Sequence, residues 1–110
     1  MKVEQKGHTT TIKDTESSFE AFLEKITTQY NSYKSVNLII DVTHDKSFNM
    51  SCIKQFSDLA NAHKKNKKSF VVVAEDIDFN KVPTSIHAVP SLLEAHDIIE
   101  MEEIERDLGF

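Results

Sequence analysis

Side chains that could do chemistry are concentrated in the segment 36–56, which reads VNLIIDVTHDKSFNMSCIKQF. Thr43 and Ser51 are hydroxyls that could carry a phosphate beside a predicted helix start. Cys52 with His44 could form a nucleophilic thiol pair. However, a lone cysteine in the first turn of a helix is more often a small packing residue. The segment also has no glycine, so it lacks the nest of backbone amides that binds nucleotide phosphates. We therefore interpret it as a binding surface and not as an active site.

The elements on either side should position this loop. The nearly unbroken apolar, β-branched run over 36–42 predicts a strand that is covered on both faces. Helical spacing predicts a helix that starts near 49–51 and ends near 64, with the apolar residues Ile53, Phe56, Leu59 and Ala60. Because ligands and partners of open α/β sheets meet the carboxyl ends of the strands, we expect function at this junction.

The rest of the chain predicts an α/β fold with a mixed, mostly parallel sheet and three to four packed helices. Short strands are expected at 1–6 and 8–13, with Val3 and Ile12 contributing to the core. A helical stripe over 19–33 follows, with Ser17 or Ser18 as the N-cap. A second buried strand at 70–74 implies a right-handed β-α-β crossover. A long connection over 75–85 then leads to a short strand at 86–89.

The last predicted helix begins at Ser91 and is strongly acidic. Gly109 is expected to end it, with Phe110 packing back against the helix as in a Schellman motif. We predict a single apolar stripe that packs on the sheet or on a partner, formed by Ala95, Ile98, Met101, Ile104 and Leu108.

Composition and charge favour one complete cytosolic domain over residues 1–110. The chain is 39% hydrophobic and 28% charged, and its single cysteine cannot form an internal disulfide. No apolar run approaches the ~20 residues of a membrane span, and the N-terminus lacks the apolar region of a secretory signal. A net charge of −5 argues against a nucleic-acid partner. The basic cluster at 63–68 is interpreted as a solvated helix end.

The order of elements and two motifs resemble the STAS domain family, which includes bacterial anti-sigma-factor antagonists and cytoplasmic domains of sulfate transporters. Family members have an Asp-x-Ser step after an apolar strand, then a helix that opens with a motif close to Asp-Ser-Ser-Gly-Leu. The equivalent run here is Asp41, Thr43, Phe48, Asn49, Met50, Ser51, Cys52, Ile53 and Phe56. Val89-Pro90-Ser91-Leu92 with Glu94-Ala95 is similar to the family's final strand and helix. The resemblance spans nearly the whole chain.

The resemblance implies a non-enzymatic regulatory module whose partner is an anti-sigma factor or another regulatory protein with a kinase-like fold. Met50 occupies the position of the family's phosphorylated serine, which implies a constitutive binder or control through Ser51 or Thr43. The segment 78–85 is too short for the family's third helix and carries Pro83. We expect the partner surface to comprise Thr43, His44, Asp45, Phe48, Asn49, Met50 and Ser51, with Phe48 and Met50 as apolar anchors inside a polar rim.

Enzymatic functions have less support in the sequence. A ribonuclease Z-type activity requires a dense His-x-His-x-Asp-His cluster that holds two zinc ions. The five histidines here are scattered, with His44 and Asp45 as an adjacent pair. We therefore expect no metal, cofactor or catalytic residue. Two other classes stay open: a small-ligand module for nucleotides or lipids under the 75–90 connection, and a structural homodimer built on the acidic C-terminal helix.

Overall fold

A five-stranded sheet lies at the centre of the computed structural model, which describes residues 1–15 and 18–109. The strands are β1 (Lys2–Lys6), β2 (Thr9–Lys13), β3 (Asn37–Asp41), β4 (Phe70–Val73) and β5 (His87–Val89). They lie side by side in chain order. β1 pairs antiparallel with β2, and all other pairs are parallel. The predicted α/β class with a mixed, mostly parallel sheet is confirmed.

Four α-helices cover the two faces of the sheet. They are α1 (Phe19–Gln29), α2 (Met50–Lys54), α3 (Ser57–Lys65) and α4 (Leu92–Asp107). Short 3₁₀ turns occupy Tyr30–Ser32 and Phe79–Lys81. No helix in the described part of the chain is both long and apolar enough to cross a membrane.

Alternation along β3 and β4 divides the core into two layers, as successive strand side chains point to opposite faces. Leu38 and Ile40 join the larger layer, which contains residues of α1, α2 and α3. Ile39 points to the other face and packs with Ala95 and Ile99 of α4. Burial on both faces explains why the strand pattern is a continuous apolar run.

Helix starts follow the expected capping chemistry. Ser18 caps α1 by accepting a hydrogen bond from the Ala21 amide at 3.4 Å, and Ser91 caps α4 by accepting one from Glu94 at 3.2 Å. The alternative N-cap Ser17 and the predicted packing of Phe110 lie outside the described residues.

Two predictions at the sheet edge and in the second helix are wrong. Val3 is 45% exposed because β1 is an edge strand whose five residues all face solvent, whereas Ile12 is fully buried as predicted. The helix expected to run from about 50 to 64 is interrupted between α2 and α3. Here the amides of Gln55 and Phe56 reach back only three residues, to the carbonyls of Cys52 and Ile53. This tighter pairing interrupts the α-helical ladder.

The predicted apolar stripe of α4 is also wrong in its second half. Ala95 faces the sheet, but Met101, Ile104 and Leu108 point to solvent. Each step of three residues rotates about 60° less than a full helical turn. After three such steps, from residue 95 to 98, 101 and 104, the apolar stripe has therefore moved to the opposite side of the helix. The sheet-facing side instead contains Ala95 and Ile99.

Candidate functional site

The candidate site is the loop 42–49, which connects β3 to α2 at the carboxyl edge of the sheet. Two backbone hydrogen bonds fix the base of this loop. The Asp14 amide donates to the Asp41 carbonyl at 2.9 Å, and the Val42 amide donates to the Val73 carbonyl at 3.0 Å. The ends of β2, β3 and β4 therefore hold the loop between them.

The first turn of the loop is organised by Asp41. Its Oδ1 atom accepts hydrogen bonds from the backbone amide of Thr43 at 3.0 Å and from the Thr43 hydroxyl at 2.7 Å. This is an Asx-type turn, in which a carboxylate replaces backbone partners. The half-buried Thr43 hydroxyl is thus already bound to Asp41.

The second turn is organised by Asp45, which is only 4% exposed. Its Oδ1 atom accepts hydrogen bonds from the amide and the hydroxyl of Ser47, and its carboxyl group is also hydrogen-bonded to that of Asp14. Burial raises the pKa of Asp45, but these hydrogen bonds outweigh it and hold the pKa below its usual range. Asp45 therefore supports the loop from below and does not lie in its exposed rim, where we predicted it.

The two predicted apolar anchors are half-buried. The Phe48 ring meets the ring of Phe19 edge-on, with centroids 5.5 Å apart, and lies 6.4 Å from that of Phe56. Met50 also packs against the larger core layer. Each of these side chains therefore packs partly against the core and is partly exposed at the surface.

The exposed rim of the loop is polar. His44, Asn49 and Ser51 are exposed, as the partner-surface prediction requires. Lys46 and Ser47 are exposed beside them, although the prediction did not include them. Their position inside the same polar loop was the one signal in the sequence that could have identified them.

Asn49 joins the loop to α2. Its Oδ1 atom accepts a hydrogen bond from the Cys52 amide at 3.2 Å, which is the N-cap arrangement. We expect Asn49→Ala to lower the free energy of unfolding by about 1 kcal/mol, because a free amide of the first turn loses its acceptor. Asn49→Asp keeps the acceptor and should be nearly neutral. Urea unfolding of the two variants checks this, and equal stabilities would contradict the capping role.

The structure does not bring Cys52 and His44 together as a catalytic pair. Cys52 is buried, and its thiol donates to the Ser47 carbonyl at 3.8 Å, whereas His44 is exposed. Within residues 1–15 and 18–109, no three His, Cys, Asp or Glu side chains are grouped so that they could hold a metal ion.

Two clefts in the described part of the surface lie away from the loop. A cleft of about 400 Å³ is bordered by Lys64, Lys67 and Arg106, close to the residues that precede β4. A second, of about 240 Å³, is bordered by residues of the 79–88 connection and by Ile98. None of these residues belongs to the loop 42–49.

Comparison of the chain with protein-family models gives no match, and comparison with curated proteins gives none either. The resemblance to the STAS family therefore stays a prediction from the sequence motifs.

Proposed function

We propose that this protein is a non-enzymatic regulatory module of the bacterial cytoplasm that binds a protein partner through the loop 42–49 and the start of α2. The observation that carries the proposal is the arrangement of this loop. Three side-chain oxygens, from Asp41, Asp45 and Asn49, fix the loop backbone and the start of α2. The side chains of His44, Lys46, Ser47 and Asn49 stay exposed.

A fixed loop favours recognition because less conformational entropy is lost when the partner binds. The half-buried Phe48 and Met50 surrounded by exposed polar side chains also match the usual composition of a protein interface, which has an apolar centre and a polar rim. The clefts beside Arg106 and beside the 79–88 connection lie away from this loop. An apolar centre within a polar rim fits a protein partner better than it fits a small molecule.

The resemblance to anti-sigma-factor antagonists suggests the kind of partner: an anti-sigma factor or another regulatory protein with a kinase-like fold. With Met50 in place of the family's phosphoserine, we propose constitutive binding. Ser51 is an exposed hydroxyl, whereas the Thr43 hydroxyl is bound to Asp41. Intact-mass analysis of the protein from its native cell should show no phosphate. Stoichiometric phosphate on Ser51 or Thr43 would contradict constitutive binding.

Site-specific photo-cross-linking tests the proposed surface. A photoreactive phenylalanine analogue replaces His44 in the loop or, as a control, Ser35, which is exposed just before β3 at the other edge of the sheet. In lysate of the native cell, position 44 should give a discrete cross-linked product that excess unlabelled protein suppresses. Position 35 should not give it. The same product from both positions, or none from position 44, would contradict the proposal.

A further inference from the structure

A second surface, independent of the loop, lies on the outer side of α4. The inner side of this helix is fixed to the sheet at both ends. Ala95 and Ile99 pack on β3 and β4, and Arg106 donates hydrogen bonds to Ser69 at 3.2 Å and to Asn37 at 3.3 Å. These contacts fix the rotation of the helix about its own axis, so its outer residues cannot turn toward the sheet.

The outer side nevertheless has an apolar stripe. Its four members are strongly exposed: Leu93 (73%), Met101 (61%), Ile104 (59%) and Leu108 (68%). At 100° per residue they lie within about a quarter of the helix circumference, directly opposite Ala95. An amphipathic surface helix has one apolar face, whereas α4 has two. The second face is unexplained by the packing of this chain and is the kind of patch that marks an interaction site.

Carboxylates surround this stripe. The exposed charged residues of α4 are all acidic: Glu94, Asp97, Glu100, Glu105 and Asp107. Asp97 lies within the stripe, between Leu93 and Met101, and the others lie along both of its sides. The one arginine of the helix faces Asn37 and Ser69.

We propose that this face binds an amphipathic, basic helix of a partner protein, which places apolar side chains on the stripe and lysine or arginine opposite the carboxylates. The 16 residues of α4 span about 24 Å, which matches four to five turns of a partner helix. A cation opposite Asp97 would fix the register, and the surrounding carboxylates would steer the approach of the partner.

The charges argue against two other occupants. A second copy of this chain would place carboxylates against carboxylates, because no exposed cation of α4 is available to pair with them. An anionic lipid surface would be repelled for the same reason. A basic helix is the occupant that satisfies both the apolar and the charged part of this face.

A designed peptide pair tests the proposal. The probe is an 18-residue amphipathic helix of leucine and lysine, and its counterpart replaces every lysine by glutamate. Fluorescence anisotropy should show binding of the lysine peptide alone, and binding should weaken as salt is raised. Amide NMR shifts should change along the outer side of α4 and not on the exposed side of α1.

Ile104→Asp separates the stripe from simple charge attraction, because it adds a negative charge while removing an apolar contact. We expect at least tenfold weaker binding of the lysine peptide. Thr28→Asp adds the same charge on α1 and should leave binding unchanged. Asp97→Lys should also weaken it at least tenfold. Because Ile104 is exposed, the melting temperature of the Ile104→Asp variant should be nearly that of the unmodified protein. If Ile104→Asp fails to fold, Leu93→Asp is used in its place.

Several results would overturn the proposal. They are no binding of the lysine peptide to the unmodified protein, equal or tighter binding by Ile104→Asp, and equal binding of the glutamate peptide. Two direct measurements address the other occupants. A dimer in sedimentation that Ile104→Asp converts to monomer would assign the face to a second copy, and stripe-dependent binding to phosphatidylcholine vesicles would assign it to a membrane.

Discussion

Phe56→Ala is expected to lower the free energy of unfolding by about 3–5 kcal/mol, the usual cost of truncating a buried aromatic ring. Phe56 has no exposed surface and lies where α2 gives way to α3. Its ring packs on Phe19 with centroids 5.4 Å apart and on Phe70 at 5.9 Å. Removing the ring leaves a cavity between helix and sheet that these neighbours can fill only in part.

Urea unfolding followed by circular dichroism measures this loss. Phe79→Ala is the matched control, because Phe79 is 39% exposed in the 3₁₀ turn Phe79–Lys81. That variant should change stability by only about 0.5 kcal/mol. Similar losses for the two phenylalanines would contradict the placement of Phe56 at the centre of the larger core layer.

The second large effect is expected at His63, which is fully buried. Its Nε2 atom lies 2.6 Å from the Val36 carbonyl and its Nδ1 atom 2.6 Å from the Tyr30 hydroxyl. Because a carbonyl can only accept, Nε2 donates and Nδ1 accepts from the tyrosine in the neutral ring. His63→Leu should lower the free energy of unfolding by about 1–3 kcal/mol, because the bridge from α3 to the 3₁₀ turn Tyr30–Ser32 and to the residue before β3 is lost.

The same residue should make stability depend on pH. Burial, and secondarily the charge of Lys68, lower the pKa of His63, although the hydrogen bond to Val36 opposes this. A lowered pKa in the folded state gives stability that is present above the unfolded value of about 6.5 and is lost as the pH falls through the folded value. The Asp45 carboxyl, whose pKa is also lowered, acts in a separate window below about pH 4.

Unfolding free energies at pH 8, 7, 6 and 5 measure this dependence. The unmodified protein should lose stability between pH 7 and 5, and His63→Leu should lose much less over that interval. His8→Gln, at an exposed histidine, should follow the unmodified protein. A His63→Leu protein that keeps the full pH dependence would contradict a neutral, buried His63.

The strands were predictable because burial on both faces leaves a continuous apolar run at β3 and β4, a signal that depends only on local sequence. The sheet-facing side of α4 was not predictable, because apolar residues lie on both sides of this helix. Apolar residues spaced three apart run from one side of the helix to the other, so their spacing does not show which of them face the sheet.

The candidate site, too, was only partly predictable from the local sequence. Its position followed from the end of β3, and the exposure of His44, Asn49 and Ser51 followed from their polar character. The burial of Asp45 could not be predicted in this way. Asp45 is held by Ser47 nearby and by Asp14, thirty-one positions away, and no local pattern indicates a contact over that distance.

The central claim is that the loop 42–49 and the start of α2 bind a protein partner. We would test it by affinity capture from lysate of the native cell, followed by titration of the purified captured protein. Ser51→Arg and Ser35→Arg make the same change at exposed serines on opposite edges of the sheet. We predict that Ser35→Arg binds as the unmodified protein does and that Ser51→Arg binds at least tenfold more weakly. Equal affinities for the two variants, or no specific partner, would contradict the claim.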